Sequence, residues 1–166
     1  MENIINIFHY CIYLIDCKLH FLSNKINPFL LLYKIPYFKR KAKENGESFL
    51  DVYNDTYINK EFGLSLFFSA GITGGVIFIL MIGLFKLTTY IFRFEILLNS
   101  VIYILFGVIT YLLCYFLIFI KDKYLVYFKK YENWSHSERR KYIVYSILFT
   151  IISICFFFVS LLFLNH

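Results

Sequence analysis

Three stretches of the chain, Gly63 to Phe85, Ile96 to Ile120 and Tyr142 to Leu164, are almost wholly apolar and contain no Asp, Glu, Lys, Arg or His. A helix rising ~1.5 Å per residue needs about 20 apolar residues to cross a hydrocarbon layer roughly 30 Å thick. With 23, 25 and 23 residues, all three reach that length. Lipid offers no partner to backbone N–H and C=O groups, so runs of this kind cross a bilayer as helices. The expected fold is an all-α integral membrane protein: three strong transmembrane helices plus an N-terminal amphipathic helix that is interfacial or a fourth span. The 60% hydrophobic content of the 166 residues rules out a water-soluble domain. Aromatic residues are common, but with only two Ala and two Pro this follows the coding bias of an AT-rich genome and carries no functional weight.

Charge sets the expected orientation. Between Lys121 and Lys141 stand seven basic residues (Lys121, Lys123, Lys129, Lys130, Arg139, Arg140, Lys141) against three acidic ones. The positive-inside rule puts this loop on the cytoplasmic or matrix side of a bacterial or organellar inner membrane. The segment before Gly63 carries eight basic residues, including Lys39, Arg40 and Lys41, and belongs on the same side. The short connection from Lys86 to Glu95 lies opposite. Two segments follow: an N-terminal amphipathic and juxtamembrane part over 1–61, and a transmembrane domain over 62–166 with spans at about 63–85, 96–120 and 142–164.

The head of the chain is the ambiguous part. Ile5, Phe8, Ile12, Ile15, Leu19 and Leu22 share one helical face, while Asn6, His9, Tyr13, Asp16, His20 and Asn24 share the other. Such a helix can lie in the interface with its apolar face in lipid. It can also span the bilayer, provided that its polar stripe faces protein or water. The interfacial placement is preferred here, because Asp16 and Lys18 would fall inside the span. Asn27-Pro28 should end this helix, Phe29 to Phe38 reads as an interfacial segment, Asn45-Gly46 as a turn, and Glu47 to Glu61 as a short juxtamembrane helix.

Small residues mark helix-packing faces. Gly71 and Gly75 form a G-x-x-x-G pair, Ala70 and Gly74 repeat the spacing, and Gly63 and Gly83 extend the stripe. Gly107 in the second span, and Ser146, Thr150 and Ser153 in the third, form matching stripes. Ser135-x-x-Glu138 fits a capping box and should start the last helix. Lys39, Arg40, Lys41, Lys129, Lys130, Arg139, Arg140 and Lys141 are assigned to lipid headgroups.

Signatures of chemistry are missing. The spans carry no ionisable residue, with Asn99 as their one strongly polar side chain, which argues against proton-coupled transport, pumping and intramembrane proteolysis. The four cysteines have no metal-ligand or redox spacing. His9, Asp16 and His20 share a helix face, but His9 is two turns from Asp16, too far for one ion. Tyr124, Tyr127, Phe128, Tyr131 and Trp134 interleave with basic residues; so close to two spans, lipid or a partner protein fits them better than nucleic acid. No cofactor, metal, nucleic acid or small-molecule substrate is expected.

The expectation is a non-enzymatic protein that acts by helix–helix assembly, as an accessory subunit of a membrane complex or as a homo-oligomer, with membrane lipids and other subunits as partners. The alternative is a small pore-forming or membrane-perturbing effector of toxin or antiviral type. A membrane enzyme acting on lipid headgroups ranks last, for want of a convergent acid, base and nucleophile.

Overall fold

In a computed structural model of the chain, residues 2–27, 30, 35–37, 40, 49–93 and 99–162 are described, and among them every regular element is a helix. The elements are α1 (Glu2–Asn24), α2 (Phe49–Ile58), α3 (Leu64–Ile91), α4 (Ser100–Cys114), α5 (Lys123–Glu132) and α6 (His136–Leu162). Three helical runs, Leu64–Ile91, Ser100–Glu132 and His136–Leu162, are long and apolar enough to cross a membrane. The protein is an all-α, multi-pass membrane protein. Lys39, Lys41, the Asn27-Pro28 break beyond Asn27, most of the Phe29 to Phe38 segment, the Asn45-Gly46 turn, the start of the second span and the end of the third lie outside the described residues.

Helix ends follow local chemistry. Asn99, expected within the second span, instead starts it: its Oδ1 accepts from the Ile102 N–H at 3.1 Å, satisfying one of the donors a first turn leaves open. At the other end α4 widens into a π turn over Tyr115–Phe119, tightens over Ile120–Asp122, and leaves the helical path where Lys121 and Asp122 take left-handed φ values of 55° and 51°. The chain thereby re-enters a separate helix, α5, at once. The last span starts as a capping box: the Glu138 N–H donates to Ser135 Oγ at 3.2 Å and the Ser135 N–H donates to the Glu138 carboxylate at 2.9 Å. The first span runs on past the expected Phe85 and carries Lys86, which is buried, to Ile91.

The chain divides into two compact units, with boundaries inside α1 and α3. The larger joins residues 1–12 to 70–166. In it, small and hydroxyl side chains turn inward (Thr73, Thr110, Ser146, Ser153, Ser160), while Val101, Ile104, Leu105, Ile147, Ile151 and Ile152 stand exposed. This inversion suits a lipid solvent, where association of helices rests on close backbone approach and not on hiding apolar surface. The smaller unit, residues 13–69, sets the second half of α1 against α2 and the start of α3: the Tyr13 hydroxyl donates to the Ile58 carbonyl, and the His20 ring stacks on Tyr57 with centroids 3.8 Å apart.

Candidate functional site

The polar stripe of α1 is turned into the protein. Asn6 and His9 are fully buried, Tyr13 and His20 nearly so, whereas Ile4, Leu19 and Leu22 on the other side are exposed. Asn6 shows why. Where α4 ends in left-handed residues, its last carbonyls lose their intrahelical donors inside an apolar environment. Asn6 Nδ2 donates to the Leu117 carbonyl at 2.8 Å, and the Lys123 ammonium reaches the Phe116 carbonyl at 3.4 Å. A side chain of α1 thus caps the end of the second span.

Beside it lies an aromatic cluster. His9 packs between Phe119, Tyr124 and Phe128, with centroids 5.3 to 6.4 Å away, and Tyr10 packs on Phe128, Tyr131 and Trp134. Tyr124, Phe128 and Tyr131, at i, i+4 and i+7 of α5, form the buried face of that helix. The aromatics that interleave with the basic residues are therefore spent on α1. The Tyr131 hydroxyl donates to Asn3 Oδ1 at 2.6 Å, and Lys123 and Tyr127 both donate to the Glu2 carboxylate, at 2.9 and 3.2 Å. The Lys123 hydrogen bond holds the Glu2 carboxyl below its ordinary value, against a smaller opposing effect of burial.

The second half of α1 meets a different set of partners. Nε2 of His20 lies 3.1 Å from both Asn54 Oδ1 and Asn24 Nδ2, and Asn24 Nδ2 donates to Asn54 Oδ1 at 3.0 Å. Burial first, and then the negative charge of Asp16 beside it, raises the Tyr57 phenol above its ordinary value. The Cys17 thiol is likewise pushed up, chiefly by burial, which leaves it a poor nucleophile. His9 belongs to the larger unit, Asp16 and His20 to the smaller. Among the described residues no group of three His, Cys, Asp or Glu side chains is placed to hold a metal.

The glycines separate into three kinds. Gly63 sits in the turn before α3, where a Cβ would run into the backbone of Asn59 and Tyr57. Gly74 and Gly83 face neighbours within the unit: a Cβ on Gly74 would lie 3.6 Å from Cys114 Sγ, and one on Gly83 would lie 2.7 Å from the Phe156 ring. Among the described residues, nothing lies within 4 Å of a Cβ added to Gly71, Gly75 or Gly107, and Gly71 and Gly75 are exposed. The eight residues from Gly75 to Gly83 advance about 80° around the helix, so Gly83 leaves the Gly71/Gly75 face. Ala70 is half-buried.

Ser146, Thr150 and Ser153 donate to the carbonyls of Tyr142, Ser146 and Phe149, four residues back on their own helix, at 2.7 to 2.9 Å. Their stripe is a packing face with its hydroxyls satisfied locally. Of the basic residues, Arg40, Lys129, Lys130, Arg140 and Lys141 are exposed and Arg139 is half-buried. The Asn6 and Tyr13 contacts were not legible in the sequence beyond the polarity of their face, because both partners are backbone carbonyls supplied by distant helices. Compared with protein-family models, with curated proteins and with solved structures, the chain matches none of them.

Proposed function

We propose that this is a non-enzymatic membrane protein that acts by helix–helix assembly, pairing through the Gly71/Gly75 face of α3 with a second copy of itself or with another membrane subunit. The observation that carries this reading is that both glycines are exposed, with no described residue within 4 Å of an added Cβ. Glycine within a helix costs roughly 0.5–1 kcal/mol relative to alanine, and a lipid-facing position returns nothing for it. A second helix does, because two backbones can approach closely and gain dispersion contacts along a G-x-x-x-G face. The excess of basic residues over Lys121 to Lys141 orients the assembly with that loop on the cytoplasmic or matrix side of a bacterial or organellar inner membrane.

Native mass spectrometry of the protein in nanodiscs tests the proposal. The wild type should appear as a multimer or with stoichiometric partners, and Gly71→Leu with Gly75→Leu should release the single chain while leaving its thermal stability nearly unchanged. Gly83→Leu, which strikes Phe156 inside the unit, should instead lower the melting temperature. A single-chain mass for the wild type, or an assembly unaffected by the double substitution, would overturn the reading.

A further inference from the structure

Within the larger unit, α1, α3, α4 and α6 line a cavity of about 580 Å³ that is open on one side, where Ile4, Leu84 and Phe149 are exposed, and its volume falls within the range of roughly 300–1,000 Å³ of small-molecule sites. Its wall is almost wholly apolar, with Phe8, Val76, Leu80, Leu113, Leu117 and Phe149 among the lining side chains. Ser146 also lines it, but its hydroxyl donates to the Tyr142 carbonyl. Water gains little in such a space, since it needs two to four polar partners. Left empty, the wall would forfeit dispersion contacts on one side. In a bilayer the apolar matter at hand is hydrocarbon chain.

One end of the cavity has a different chemistry. Tyr142 and Tyr145 line it there. Tyr142 stacks on Trp134 with centroids 4.5 Å apart, and the Lys141 ammonium stands 5.7 Å from the centre of the Tyr145 ring. Such residues gather where hydrocarbon gives way to headgroups. Arg139 stands one turn before Tyr142, on the same α6 face as Tyr142, Ser146 and Phe149 at i, i+3, i+7 and i+10. One arm of its guanidinium donates to the Glu132 carbonyl at 3.2 Å, while its Nε is screened from solvent and makes no hydrogen bond among the described residues. A guanidinium held in place with an unused N–H donor suits a phosphate oxygen.

We propose that this cavity holds one acyl chain of an anionic glycerophospholipid drawn from the surrounding bilayer, with the lipid phosphate on the Arg139 guanidinium. The chain replaces the missing dispersion contacts, and the phosphate satisfies the buried donor. Lys141 and Arg140, both exposed on the next positions, add attraction for a net negative headgroup.

The test uses the full chain in nanodiscs made from equal parts of phosphatidylglycerol and phosphatidylcholine. Native mass spectrometry should find one phosphatidylglycerol retained per chain, a count independent of whether the chain assembles. Arg139→Gln should lower that retention about tenfold, as expected for one charge-assisted hydrogen bond, and leave phosphatidylcholine unaffected. Leu80→Trp should fill the cavity and abolish retention. A phosphatidylglycerol with a photoreactive group on its acyl chain should label Val76, Leu80 or Phe149. Should Leu80→Trp fail to fold, the Arg139→Gln result and the labelling map decide alone. Absence of retained lipid, retention indifferent to Arg139→Gln, labelling confined to outward residues such as Ile104 and Ile152, or occupation of the cavity by a second copy would each overturn the proposal.

Discussion

A carboxamide at position 6 satisfies a carbonyl more than a hundred residues away, and the stability of the second span should depend on it. Replacing Asn6 by Leu keeps the branching and number of side-chain heavy atoms but leaves the Leu117 carbonyl without its donor in apolar surroundings. The expected cost is about 1–3 kcal/mol, read as a lower midpoint in thermal unfolding of the detergent-solubilised protein. Glu2 makes a pH-dependent contribution of the same kind. Its folded pKa lies below the ordinary value of 4.5 because Lys123 donates to it, so the ion pair stabilises the fold fully above that value and is lost as pH falls through the depressed one. The melting temperatures of wild type and Glu2→Gln should therefore differ near neutral pH and converge in acid; a gap that stays constant on acidification would remove Glu2 as its source.

Among the elements, α6 shows how much a helix start is decided locally. The Ser135/Glu138 capping box was legible in four consecutive residues, and both reciprocal hydrogen bonds form. Ser135→Ala should destabilise the protein by about 1 kcal/mol, with hydrogen exchange rising first in the opening turn of α6. Uniform exchange along the helix would place the loss elsewhere. The three spans were similarly legible, because length and apolarity are properties of the segment itself. Their margins were not. Asn99 reads as a polar residue within a span and acts as a cap, and α3 runs on through Lys86 because one buried lysine does not stop a helix already propagating.

The distribution of charge and the inward turn of small residues together describe a chain built for a lipid solvent. The proposed orientation can be checked by cysteine labelling in intact cells, with the exposed Cys155 replaced by Ser. Arg93→Cys should react with an impermeant maleimide from outside, and Lys130→Cys only once the inner face is opened. Reaction of both from one side would refute the topology.

By itself the sequence determined that the protein is helical, that it crosses a membrane, where its apolar runs lie and which faces are unfit for lipid. All of these follow from local periodicity and from the cost of exposing polar groups to hydrocarbon. Only the tertiary structure decided what those faces meet. The stripe on α1 could have faced water, headgroups or protein, and burial of Asn6 and His9 shows that it faces protein. Gly71, Gly74, Gly75 and Gly83 look alike as residues, yet Gly74 and Gly83 are covered by the chain's own helices while Gly71 and Gly75 are open. The physical reason is that helical spacing fixes which residues share a face, whereas the neighbour covering that face comes from segments far along the chain.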